Sequence, residues 1–174
     1  KAEHIFYENI VNDFHVADSF YELSQLNIEL NEPNKAFLFG INYVLLTDDQ
    51  DFREVLEKTF EVTYTSEHKI ELEAQLFATQ LLFQYLFSQG RLNNARAYIL
   101  SQEEHIQSHR VIRNLLAMCY LYLSEYETAK EMFEALLSED NSDVHALCHY
   151  TLLLYNTNEM EKYQRYLKIL NKVV

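Results

Sequence analysis

The chain has 174 residues, with 14 Lys and Arg against 27 Asp and Glu, a net charge of −13, and only 2 Gly and 1 Pro. So few turn-formers exclude hairpin-rich all-β folds, and Gly40 and Gly90 stand too far apart to write the Gly-rich phosphate loops of nucleotide-binding enzymes. The acidity disfavours nucleic acid and anionic membrane surfaces, both of which are held through Lys and Arg.

Apolar residues recur at helical spacing along nearly the whole chain, as in Leu76, Ala78, Thr79, Leu82, Phe83 and Leu86. Short polar clusters interrupt them: Asn31-Glu-Pro33, Thr47-Asp-Asp-Gln-Asp51, Thr65-Ser-Glu67, Gln89-Gly90, Ser138 to Ser142 and Asn156-Thr-Asn158. The pattern predicts helices over 2–11, 16–30, 34–46, 51–64, 67–88, 92–103, 108–123, 126–138, 142–156 and 159–172, and no strand. The fold class is therefore all-α. The longest apolar run, Ala36 to Leu46, falls short of the roughly 18 residues a membrane-spanning helix needs, so no membrane insertion is expected. Cys119 and Cys148 both sit in apolar helical patterns, which fits reduced thiols in a cytoplasmic protein. Charge is unevenly placed: residues 1–87 carry 16 acids and 5 bases, residues 88–174 carry 11 and 9. An acidic first half reads as a solvated face, with attraction of a basic partner as the alternative.

A fixed step of 34 residues relates Ala95, Ala129 and Tyr163; Leu82, Leu116 and Tyr150; Leu86, Tyr120 and Leu154; Leu92, Tyr126 and Met160; and Ile99, Phe133 and Leu167. Gly90, Ser124 and Asn158 fall in the same register, each just before the second helix of its pair. Ser124-x-x-Glu127 and Asn158-x-x-Glu161 have the form of capping boxes at those helix starts. Near the N-terminus, Ala2 and Ala36 show the same step, and Asn31 matches Gly90.

A helix pair repeating every 34 residues, with Leu116-Ala117-x-x-Tyr120 followed by Tyr126-x-x-Ala129-x-x-x-Phe133, resembles the tetratricopeptide repeat (TPR) family. The sequence departs from that pattern at Arg113, where the family favours a large apolar residue, at Phe83 and Tyr163, which replace small ones, and at Asn141, which stands for the closing Pro. The resemblance implies an α-solenoid of antiparallel helix pairs, a TPR-like right-handed superhelix over 1–174. Its repeats would be 17–50, 76–109, 110–143 and 144–174, with an irregular insertion over 51–75. It also implies a groove lined by the first helix of each pair. Groove positions would be Tyr21, Gln25 and Ile28; Gln80, Gln84 and Phe87; Asn114, Met118 and Leu121; and Cys148, Leu152 and Tyr155. Amides among them could bond an extended peptide, and Phe87, Met118 and Tyr155 could give adaptable apolar contact. Gln80, Gln84 and Asn114 are expected to be exposed, and Ile28 and Leu152 to belong to the core. The Lys and Arg side chains of the TPR subtype that clamps a C-terminal carboxylate have no counterparts in these rows.

His145-x-x-Cys148-His149 places three metal-ligating side chains on one helical face, with Asp143 near enough to add a fourth. No CxxC or HExxH accompanies them, and the expected reading is a repeat interface rather than a metal centre. His105-x-x-x-His109 spans a helix end, and Asp48-Asp49-Gln-Asp51 reads as helix capping rather than a Ca²⁺ loop. With no nucleophile motif, the chain is expected to be non-catalytic and to use no cofactor. It is read as a protein-interaction module holding a peptide or partner helix. The alternatives are a peptide-sensing regulatory receptor whose output domain lies outside this sequence, and a metal-dependent enzyme at His145, Cys148 and His149. The end Ile169-Leu170-x-x-Val173-Val174 carries no polar cap, which points to a fragment of a longer array or to packing on another copy.

Overall fold

The computed structural model describes residues 1–60 and 67–174, and among these it contains eleven helices and no strand. They are α1 (Ala2–Val11), α2 (Val16–Glu29), α3 (Pro33–Thr47), α4 (Gln50–Thr59), α5 (Glu67–Ser88), α6 (Leu92–Leu100), α7 (Glu104–Gln107), α8 (Arg110–Tyr122), α9 (Tyr126–Glu139), α10 (Val144–Asn156) and α11 (Met160–Val173). The all-α expectation holds. The end of the helix expected over 51–64, and part of the break after it, lie outside the described residues. No helix among the described residues is long and apolar enough to cross a membrane.

The chain forms two compact units, Lys1–Tyr85 and Leu86–Val174. In the first, α1 packs on α2, α2 on α3, and α3 on α4. Pro33 opens α3 at its first turn, where a missing N–H costs nothing. Two polar side chains bind this unit internally. Ser24 Oγ donates to the Ala36 carbonyl at 2.7 Å, and Asn42 Nδ2 donates to the carbonyls of Leu38 and Ala74 at 2.8 Å each. Gly40 is required by close approach: a Cβ there would lie 2.5 Å from Leu56 Cδ1 and 3.1 Å from Ser24 Oγ. Leu56 is itself buried with Phe37, Ile41, Val44, Ile70 and Ala74, so it has little room to give.

In the second unit α8 pairs with α9 and α10 with α11, while α9 and α8 each also touch α10, and α6 touches α8. The core of this stack joins Ala117, Leu121, Ala129, Phe133, Leu136, Ala146, Leu147, Tyr150, Leu153 and Leu154. Small residues Ala117, Ala129 and Ala146 let the helices approach, and Phe133 and Tyr150 fill the space so created. Tyr150 closes its polar end by donating to Glu134 at 2.7 Å.

The turns inside the helix pairs are built alike. Gly90, Ser124 and Asn158 have φ of 72°, 61° and 59°, and Asn31 has 57°. At each, the residue's own N–H bonds the carbonyl three back, and the next N–H bonds the carbonyl five back. These are Schellman closures, which satisfy the orphan carbonyls of the helix that has just ended. The capping boxes expected at Ser124 and Asn158 are therefore not formed. Both residues terminate the first helix in left-handed backbone, and the N-caps of the second helices are instead Glu125 and Glu159, which make no side-chain cap bond.

The region 92–107 also differs from expectation. The single helix 92–103 stops at Leu100, and the short α7 follows. Ser101 Oγ donates to the Tyr98 carbonyl, and Gln107 Nε2 donates to those of Leu100 and Gln102. Side chains thus take over carbonyls that helix continuation would have used. Ile106, 2 % exposed, anchors the extra turn in the core.

Candidate functional site

The second unit builds its surface on α8 and α10, which occupy equivalent places one 34-residue step apart. Asp143 fixes their relation. It is the N-cap of α10, and its Oδ1 accepts from Ala146 N at 3.0 Å. Its Oδ2 receives three donors from α8: Arg110 Nε at 2.8 Å, Arg110 Nη2 at 2.7 Å and Asn114 Nδ2 at 2.9 Å. Arg110 also donates to the Leu136 carbonyl at the end of α9. Burial by itself would raise the Asp143 carboxyl, but the Ala146 N–H, the Asn114 amide and Arg110 outweigh it and hold the group below its usual value. Beside it, Arg113 grips Glu139 with two parallel bonds of 2.9 and 2.8 Å, which raises the guanidinium and lowers the carboxylate. Arg113, a departure from the TPR pattern, thus joins α8 to α9 by charge.

Asn114 was expected on an exposed groove wall and is instead buried, 6 % exposed. Its amide nitrogen is committed to Asp143, and its Oδ1 is buried without a hydrogen-bond partner among the described residues. The sequence could not show this, because the partner that draws the amide inward is 29 positions away. Leu121 is buried too, as part of the core. The neighbouring Tyr122 takes the exposed position, four residues on from Met118 and therefore on the same face.

Around Tyr122 the surface is aromatic. Its ring meets Phe87 edge-on at 5.3 Å and His149 at 6.5 Å. His149 lies parallel to the buried Phe133 ring at 6.2 Å and 4.5 Å from His145. Further along α10, Leu152 and Tyr155 are 37 % and 58 % exposed, and Tyr155 leans on Tyr163 at 5.6 Å. Met118 is half-buried on α8. Leu152, expected in the core, thus joins the surface instead. Tyr122 and His149 join this surface beyond the groove positions that the repeat pattern implies. Their signal was helical spacing from Met118 and Leu152 respectively, which places each on the same face as those residues.

The metal candidates are described by the same geometry. His149 Nδ1 lies 2.9 Å from the His145 carbonyl oxygen, and Cys148 is exposed and free. Burial and the adjacent His149 hold His145 below its usual value, with Asp143 pulling the other way. The Asp143 carboxylate, the possible fourth ligand, is already spent on α8 and on its own helix start. No group of three or more His, Cys, Asp and Glu side chains among the described residues is placed to hold a metal ion.

In the first unit Tyr21 sits in a triangle of rings with Tyr43 and Phe52, at 5.4, 5.3 and 5.1 Å. Asp49 locks it, accepting the Tyr43 hydroxyl at 3.2 Å and capping α4 through Phe52 N at 2.9 Å. The capping role expected for this Asp cluster is thus realised. Ile28, expected in the core, is 42 % exposed on α2. Gln25 and Gln80 are half-buried, and Gln84 is exposed.

No family model matches the sequence, and no curated protein matches it.

Proposed function

We propose that the chain is a non-catalytic, TPR-like protein-interaction module, and that the face of α8 and α10 in its second unit holds an extended peptide or a partner helix. One observation carries the reading: on this face Phe87 and Met118 stay half-exposed and Leu152 and Tyr155 exposed, although Leu121, between Phe87 and Tyr155 in the repeat register, is buried. Met118 and Leu152 are one 34-residue step apart, and Phe87 and Tyr155 two steps. A stacked array needs its apolar faces for its neighbours, so those left partly or fully exposed on one face can meet a ligand. Met118 and Leu152 adapt to varied shapes, and the rings of Tyr122, His149 and Tyr155 supply contact area at low entropic cost. With Asn114 withdrawn into the Asp143 junction, recognition rests on apolar contact more than on amide bonds to a peptide backbone. The unpaired thiols of Cys119 and Cys148 fit a reducing, cytoplasmic setting.

Selection from a library of random linear peptides displayed on phage tests this. Enriched peptides are expected to bind the native chain and to lose at least about tenfold in affinity, about 1.4 kcal/mol, toward the double variant Leu152→Ser/Tyr155→Ser. Both side chains are exposed, so the melting temperature is expected to stay put. Selected peptides that bind the double variant equally well would place recognition elsewhere.

A further inference from the structure

Helix α11 carries Arg165, Lys168 and Lys172 at i, i+3 and i+7, which puts all three on one face. All three are exposed, and none has an ion-pair partner among the described residues, whereas Arg96, Arg110, Arg113, Lys130 and Lys162 are all paired. The helix contains no buried residue.

An opposite stripe exists on α2. Asp18, Glu22 and Glu29 are spaced by four and seven residues and share one face with Gln25. The three carboxylates are exposed, and only Asp18 has a partner, the local His15 at 3.4 Å. Tyr21 and Ile28, 37 % and 42 % exposed, run along the edge of this stripe. Such a border suits Lys and Arg, whose aliphatic stems cover apolar surface while their heads reach carboxylates, and whose charge is attracted to a Tyr face. The surrounding sequence strengthens the match, with 16 acids against 5 bases in residues 1–87.

We infer that the protein associates head to tail, the Arg165/Lys168/Lys172 face of α11 on one copy seating on the Asp18/Glu22/Glu29 face of α2 on a second. The contact is heterologous: two different surfaces meet, and each added copy presents both again. Exposed charge pairs are individually weak and strongly screened, so the association is weak and steeply dependent on salt.

Sedimentation equilibrium on the native chain, with two charge-reversal variants, tests it. Native protein is expected to show concentration-dependent association at about 50 mM salt that weakens at least about tenfold at about 500 mM. Arg165→Glu/Lys168→Glu/Lys172→Glu and Asp18→Lys/Glu22→Lys/Glu29→Lys are each expected to be monomeric, with circular dichroism matching the native chain. Mixed together they are expected to associate again in an alternating array, because the reversed α11 of the first meets the reversed α2 of the second and the native α11 of the second meets the native α2 of the first. A native chain that stays monomeric at low salt overturns the inference and leaves the α2 face to some other basic partner. Association that survives either reversal, or a mixture that stays monomeric, overturns the pairing of these two helices. Neither outcome touches the peptide-binding reading, which is tested on a different face.

Discussion

Replacing Asp143 by Ala strikes one carboxylate that joins α8 to the start of α10. The N-cap of α10 is lost, which costs about 0.5–2 kcal/mol. The Asn114 amide, already short of a partner for its oxygen, loses the acceptor for its nitrogen in a buried site, worth a further 1–3 kcal/mol or so. Arg110 keeps the Leu136 carbonyl and Glu139, so its share is small. The expected loss is about 2–4 kcal/mol, read as a lowered midpoint in urea denaturation followed by circular dichroism. Asp143→Asn separates the parts: its oxygen still caps the helix, while the NH2 that replaces Oδ2 faces the Arg110 and Asn114 donors, so it is expected to cost about 1–3 kcal/mol, less than Asp143→Ala by the value of the cap. The pH dependence has a definite sign. The folded-state value of Asp143 is depressed, so its contribution is complete above the ordinary unfolded value near 4 and disappears as pH falls through the lower folded value. The gap between the native chain and Asp143→Asn is therefore expected to close in acid. If Asp143→Ala costs no more than Asp143→Asn, or if the gap is flat with pH, the role of this carboxylate in joining α8 to α10 is wrong.

The left-handed turns and the thiols give further expectations. Gly90→Ala is expected to destabilise by about 1 kcal/mol on conformational grounds alone, because a Cβ there meets no atom within 4 Å. Ser124→Gly is expected to do the reverse at the equivalent turn, raising the urea midpoint by an amount corresponding to up to about 1 kcal/mol; a lowered midpoint would contradict the turn assignment. In the folded protein a chromogenic disulfide reagent is expected to titrate one thiol quickly, the exposed Cys148. Cys119 is expected to respond only on unfolding, since burial raises its thiol and its Sγ donates to the Leu92 carbonyl at 3.3 Å. Equal rates for the two would refute their placement.

Helix positions could be read from the sequence because each depends on residues three and four apart, and α2, α5, α8 and α10 follow the expected spans closely. The short α7 could not, because its cause is a competition among Ser101, Gln102 and Gln107 for carbonyls that a helical pattern assigns to the backbone. Ser124 and Asn158 show a subtler limit. Their residue types suit the start of one helix and the end of another equally well, and only the backbone dihedral decides. At the candidate site, spacing correctly put Tyr155 and Met118 on accessible or half-accessible faces. It failed at Asn114, whose burial is set by an Asp on another helix, and at Leu152, whose apolar character says nothing about whether a neighbour exists to cover it.

Lys130 and Glu159 meet at 2.7 Å, and Arg96 and Glu125 form the same pair exactly one step of 34 earlier. In both, a cation on one helix reaches the N-cap residue of a later helix, 29 positions ahead. Excising residues 110–143 would leave Arg96 those same 29 positions before Glu159, with Gly90 and Asn158 still closing their turns. The joint is thus a standard coupling whose two halves are interchangeable between modules. A gene could lengthen or shorten this part of the chain by whole modules without having to invent a new connector.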